Sequence, residues 1–189
     1  MSTPQTRGRT TLLLIAAAFT LPIVAAAFLY FSDNGWRPDG STHFGTLITP
    51  AKTLPDTVLA PTDPPTVLRK IWTMAILSGD ECDAACVTAL RKTRQVRLAL
   101  GPKMTRLQLV FMPTQGGALS AELAAEHPRL IVIDPTTSKE IIKLIGDYNS
   151  GDVFLIDPLG NLMMLYTDDA EMSGMRSDIA HLLKFSTIG

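Results

Sequence analysis

The chain has 189 residues, enough for one medium domain and an accessory segment. Seventeen Lys and Arg stand against 18 Asp and Glu, and the resulting net charge of -1 argues against nucleic acid as a partner. Two cysteines are too few for a disulfide scaffold, so they form a site or are incidental.

In chain order, residues 1–10 are polar and basic, with Arg7 and Arg9 and no acid. Thr11 to Phe31 follows without a charge, and its length suffices to cross a hydrocarbon layer as a helix. Pro22 would kink it, which membrane helices tolerate. Tyr30, Phe31 and Trp36 suit an interfacial aromatic belt. Arg7 and Arg9 place residues 1–10 on the cytoplasmic side by the positive-inside rule, and the remainder outside it. A cleavable signal peptide competes, with Ala25-Ala26-Ala27 as its cleavage signal. The apolar stretch runs past that point, which favours an uncleaved anchor over residues 11–31.

Residues 32–65 are rich in Pro, Gly, Asp and Thr and read as a leader. Within it, Phe44 to Ile48 is expected as a short edge strand and Thr57 to Ala60 as a second, together supplying a hairpin to the domain.

A regular alternation then occupies residues 66–189. Arg69 to Leu77 reads as a strand and Ala84 to Leu100 as a helix, with Cys86, Leu90, Thr93, Val96 and Leu100 at spacings of three and four. Gly101-Pro102 stops that helix. Leu107 to Met112 is a strand, Leu119 to Glu126 a short helix, and Leu130 to Ile133 a brief strand. Thr137 or Ser138 can cap a helix over Lys139 to Ile145. Val153 to Ile156 and Leu162 to Tyr166 form a hairpin through Asp157-Pro158-Leu159-Gly160-Asn161, and Met175 to Phe185 is a closing amphipathic helix. The order predicts an α/β layer structure, a mixed sheet with helices on both faces.

Both cysteines lie in Gly79-Asp80-Glu81-Cys82-Asp83-Ala84-Ala85-Cys86, at a strand-to-helix turn. Core cysteines usually stand singly inside apolar runs, whereas these stand among acidic and small residues, which favours a functional pair. If the first turn is helical, both sulfurs point the same way. Such a pair can form a disulfide, exchange with a partner's disulfide, or hold a soft ion such as Cu(I). Zinc would require four ligands that the chain does not cluster. His43, His127 and His181 are isolated, with His127 and His181 expected at the surface or in a cap. Met163, Met164, Met172 and Met175 are expected as core filler. The acids around the pair read as an N-cap that suits the helix dipole and opposes thiolate formation. Arg91, Lys92, Arg94 and Arg97, with Lys103 and Arg106 beyond, form a basic face, either solvated or able to dock an acidic partner or lipid headgroups.

The strand-C-x-x-x-C-helix opening and the later Val153-Phe154-Leu155-Ile156-Asp157-Pro158-x-Gly160 segment resemble the thioredoxin superfamily. Within it the chain is most similar to the Sco-type proteins that assemble the copper centre of cytochrome oxidase. The resemblance implies a thioredoxin-like domain over residues 66–189, anchored in the cytoplasmic membrane and facing the periplasm. It implies Cu(I) delivery, with Cys82 and Cys86 as ligands, or reduction of thiols at the copper site, with Cys82 attacking and Cys86 resolving. The partner would be a respiratory oxidase subunit or another assembly factor. The chain departs from that pattern at Asp83, where proline is usual, and near Asn149, where a distal histidine ligand is expected. Classical thioredoxins also place a proline before the strand at Val153, and this chain does not. A membrane-tethered scaffold that keeps the fold without its chemistry is the alternative of a different class.

Overall fold

A computed structural model describes residues 4–31, 43–60, 65–79, 81–114 and 119–188. Trp36, Pro61, Pro64 and Asp80, and the side chains of Arg7 and Tyr30, lie outside the described residues. The chain divides into two compact units, Met1–Ser41 and Thr42–Gly189.

The first unit holds helix α1, Pro4–Phe31, with Pro22 inside it. Its stretch Gly8–Leu29 has a mean hydropathy of 2.6. Leu12, Ile15, Phe19, Ile23 and Phe28 are all exposed. A helix that is apolar all round, long enough to cross a bilayer and uncovered by protein, fits a single-pass membrane protein.

The second unit is built on a six-stranded sheet. Its strands are β1 (Thr46–Thr53), β4 (Trp72–Ser78), β5 (Leu107–Pro113), β6 (Leu130–Val132), β7 (Val153–Ile156) and β8 (Asn161–Tyr166). A small separate ladder pairs β2 (Val58–Ala60) with β3 (Thr66–Val67). The order across the large sheet is β1-β8-β7-β4-β5-β6. β4, β5 and β6 run parallel, while β7, β8 and β1 continue the sheet antiparallel on the other side. The helices are α2 (Ala84–Ala99), α3 (Ala121–Glu126), α4 (Pro135–Ile145) and α5 (Met172–Phe185), with a 3-10 turn over Gly101–Arg106.

All seven residues of β4 are buried, as they must be in a central strand covered on both faces. Their alternation divides the interior in two. Trp72, Met74 and Ile76 join Leu109 and Phe111 under α2 and α5, through Leu90, Val96, Met175 and Ile179. Ala75 and Leu77 join Val110, Phe154 and Ile156 beneath α4, through Ile141 and Ile145. The result is the expected mixed α/β sheet with helices on both faces.

The leader differs from the sequence reading. Its two strands do not pair with each other: β1 pairs with β8 at the sheet edge, and β2 pairs with β3. The start of β1 is fixed instead by a buried carboxylate from α5. Asp178 accepts hydrogen bonds from the backbone N–H of Phe44 (2.9 Å) and Gly45 (3.0 Å) and from the Tyr166 hydroxyl (3.1 Å). Burial, and then the Asp178 charge, push the Tyr166 hydroxyl well above its ordinary pKa, so it remains a donor. The cap of α4 also differs. Asp134 accepts from the N–H of Thr136 (2.9 Å) and Thr137 (3.3 Å), and Pro135 occupies the first helical position. Proline there needs no hydrogen-bond partner, so the helix starts earlier than Lys139.

Asp178→Ala leaves two backbone donors and a buried hydroxyl without their acceptor. We expect a loss of ~2–4 kcal/mol in the unfolding free energy, read by denaturant titration of the full chain in detergent. A loss below ~0.5 kcal/mol would contradict the role given to this contact.

Candidate functional site

β4 ends at Ser78, and the chain then turns through Cys82 into α2. The Ser78 hydroxyl donates to the Glu81 carbonyl at 2.9 Å, holding this turn against the end of the strand. Asp83 is the N-cap of α2, in extended conformation, and its Oδ1 accepts the Cys86 N–H at 2.9 Å. Cys82 therefore precedes the cap and is not part of the first helical turn, and α2 starts at Ala84 as the sequence leads one to expect. The two cysteines nonetheless converge. They are joined in a disulfide with a Cα–Cα distance of 5.2 Å, within the range such a bond accepts.

The two sulfurs have different surroundings. Cys86 is fully buried in the core beneath α2, whereas Cys82 is half-buried and packs against the edge of that core. A disulfide closing so short a loop stabilises a fold by only about 2 kcal/mol in the chain-entropy description. The two cores carry the structure, and the bond can open without dismantling it.

The opposite wall of the site comes from the segment before β7. Antiparallel pairing of Ile76 with Val153 brings this segment beside the end of β4. Gly151 N–H donates to the Leu77 carbonyl and Leu77 N–H to the Asp152 carbonyl, each at 3.2 Å. Ser150 Oγ donates to Asp83 Oδ1 at 2.7 Å, so the loop is tied to the residue between the cysteines. Gly151 has φ +86°, and a Cβ there would stand 2.9 Å from the Ala85 backbone, so only glycine allows this approach.

The hydrogen bond from Cys86 N–H, and then that from Ser150, hold the Asp83 carboxyl below its ordinary range. An ionised Asp83 has two consequences. It caps the helix, and it occupies an N–H that would otherwise help to stabilise a thiolate. Asp152 shows the reverse shift. Burial raises its pKa, with the Asn149 N–H (2.8 Å to Oδ2) opposing and Asp168 adding to the rise.

The other expected residues lie elsewhere. Tyr148, next to the position compared with a distal histidine, packs against the core under α4, on the opposite face of the sheet from Cys86. Asn149 is exposed and engages Asp152 through its backbone. His43 pairs with the Gly45 carbonyl (2.6 Å), and His181 is exposed beside Phe185. His127 ends α3 as expected of a cap, but it is buried and not at the surface. Met164 and Met175 are core residues as expected, Met163 packs against the core, and Met172 is exposed. Among the described residues no group of three His, Cys, Asp or Glu side chains is placed to hold a metal. Reduced Cys82 and Cys86 would fit a two-thiolate site for a soft ion, and neither the Ser150 hydroxyl nor the Asp83 carboxylate is a soft third ligand.

The basic run is largely structural. Lys92 donates to the Asp168 and Ala170 carbonyls (2.6 and 3.1 Å), Arg97 Nε to the Leu107 carbonyl (2.7 Å), and Arg91 faces Glu126 (3.5 Å). Sequence reasoning missed Ser150, Gly151 and Asp152. A Gly-Asp pair just ahead of an apolar strand was the available signal.

Residues 72–186 match the model of the family described as transmembrane-like, thioredoxin-like, C-terminal domain. The chain belongs to that family. A comparison with curated proteins finds no match. Among solved structures, this transmembrane-like, thioredoxin-like domain is similar to apo Sco1 from Thermus thermophilus, with a TM-score of 0.56 and 19% identity over 77% of this chain and 98% of that one. It is similar to BsSco, described as a Sco-family cytochrome c oxidase assembly protein with a disulfide switch (TM-score 0.55, 10% identity, 72% and 96% covered). It is also similar to a candidate protein disulfide isomerase of Bacteroides thetaiotaomicron (TM-score 0.51, 16% identity, 75% and 94% covered). At these identities the likeness is one of fold.

Asp152 gives this site a pH signature. Its folded-state pKa is raised, so stability falls as pH climbs from the ordinary carboxylate range through the raised value. We expect Asp152→Asn, which keeps an acceptor for Asn149, to melt above the native chain at pH 7. The difference should vanish below about pH 4, where both side chains are neutral. Thermal scans across that range check it, and a variant that melts lower at every pH would contradict it.

Proposed function

We propose that this protein is a membrane-anchored dithiol–disulfide exchange protein whose reactive pair is Cys82 and Cys86. The asymmetry of the pair carries this reading: a half-buried cysteine before the helix cap is bonded to a fully buried one inside the helix. In the reduced protein, the Cys82 thiolate attacks one sulfur of a partner's disulfide. A mixed disulfide forms and the partner's other sulfur leaves as a thiolate. The Cys86 thiolate then attacks Cys82 Sγ, releasing the partner's second thiol and closing the Cys82–Cys86 bond. Two electrons pass to the partner, and the protons given up by the two cysteines reappear on its thiols.

A standing disulfide favours an oxidising compartment, and Arg9 on the polar flank of α1 favours a cytoplasmic N-terminus. Together they support a domain facing the periplasm. Resemblance to Sco-type proteins supports an oxidase subunit or assembly factor as the partner, with a copper-site disulfide as the substrate. Cu(I) as cargo is the second reading. It is favoured by two soft donors within bonding distance of each other, and it rests on two ligands where the resemblance implies three.

Trapping the mixed disulfide tests the proposal. The full chain carrying Cys86→Ser should accumulate a covalent adduct with a disulfide-bonded acceptor through Cys82. Cys82→Ser should give about tenfold less, because the remaining thiol is buried. Equal adducts from both variants would contradict the assignment of attacking and resolving sulfurs. Absence of any adduct, with tight one-to-one Cu(I) binding by the reduced native chain, would favour the cargo reading instead.

A further inference from the structure

The basic face of α2 has a second feature that the cysteine chemistry does not use. Where the carboxyl-terminal half of α2 meets the turn from α3 into β6, a cavity of about 160 Å³ opens. Arg94, Arg97, His127 and Arg129 line its polar side, and Leu98 and Leu130 belong to its apolar wall. An adjoining hollow of about 470 Å³ shares Arg94 and His127 and adds Arg91 and Glu126.

Three observations distinguish this place from a solvated helix face. First, like charges converge on it. Arg91 has Glu126 as a counter-ion, but the side chains of Arg94 and Arg129 have no hydrogen bond or ion pair among the described residues. Arg97 spends Nε on the Leu107 carbonyl, and burial followed by the Arg129 charge lowers its pKa. Second, His127 is only 5% exposed, and its Nε2 is buried with no hydrogen-bond partner. A buried polar atom without a partner is costly and points to an absent one. Burial first, and then Arg94, hold that imidazole below its ordinary pKa. Third, Leu98 is 50% exposed at the mouth of the cavity, so an apolar surface adjoins the guanidinium groups.

We infer that this cavity binds a phosphomonoester carrying a short apolar body. A phosphate dianion matches convergent guanidinium groups with few counter-ions, since planar N–H forks pair with its oxygens two at a time. The apolar body lies against Leu98 and Leu130. The same head group occurs on soluble organic phosphates and on the lipid phosphatidic acid, and the geometry serves either.

The test is calorimetric titration of the full chain, reconstituted in phosphatidylcholine nanodiscs, with n-hexyl phosphate and with inorganic phosphate. Hexyl phosphate should bind at one site, about tenfold more tightly than inorganic phosphate. Arg94→Ala/Arg129→Ala should weaken it by about tenfold or more. Lys139→Ala/Lys143→Ala removes the same charge from exposed positions on α4 and should leave binding unchanged. So should Cys82→Ser/Cys86→Ser, which keeps this site separate from the exchange pair. Nanodiscs containing phosphatidic acid identify the source. Loss of hexyl phosphate binding there makes the bilayer lipid the occupant, and undiminished binding makes it a soluble phosphate. No saturable binding, or equal weakening by the Arg94/Arg129 and Lys139/Lys143 pairs, would overturn the inference.

Discussion

The approach of Gly151 to the first turn of α2 is the constraint on which the site depends. Pairing of β7 with β4 delivers the loop before Val153 to the end of the central strand. The missing side chain at Gly151 then lets that loop lie against the Ala85 carbonyl, where any Cβ would collide. From this contact follow the Ser150–Asp83 hydrogen bond and the cap on Cys86 N–H. The extended cap residue leaves Cys82 outside the helix, facing solvent on one side and Cys86 on the other. A fully buried Cys86 and a half-buried Cys82 thus result from backbone geometry. They need no strongly acidified thiol, because Asp83 takes the helix N–H that would provide one.

Much of this was legible in the chain. The strand-to-helix position of Cys82 and Cys86, the buried central strand and the closing hairpin all leave local signals: a spacing, an unbroken apolar run, or an Asp-Pro-x-Gly turn. Asp157 accepts from the N–H groups of Leu159 and Asn161, and Gly160 takes the positive φ that turn requires, as its residues imply. What escaped reading was non-local. Nothing near Phe44 announces that its N–H belongs to Asp178, a partner 134 residues away. Without that knowledge two short strands flanking prolines look like a hairpin. The basic run on α2 shows the same limit. Its periodicity describes a polar face, but only tertiary structure separates Lys92 and Arg97, which hold neighbouring loops, from Arg94, which does not.

The departures from the Sco-type pattern now have a structural context. Asn149, at the position compared with a distal histidine, engages Asp152 through its backbone and closes the turn that presents Gly151. The loop retains its place beside the cysteines, yet its residues are spent on shaping the turn. A thioredoxin-like placement of the cysteine pair and an asparagine at that turn thus stand together in this chain.

The most direct test of this account is the relative reactivity of the two thiols. The full chain would be reduced and exposed to iodoacetamide at neutral pH, with each site followed by mass spectrometry. The account predicts that Cys82 is alkylated about tenfold faster than Cys86, because Cys82 is half-buried and Cys86 fully buried while the fold stands. Equal rates, or a faster reaction at Cys86, would contradict the assignment of Cys82 as the attacking sulfur.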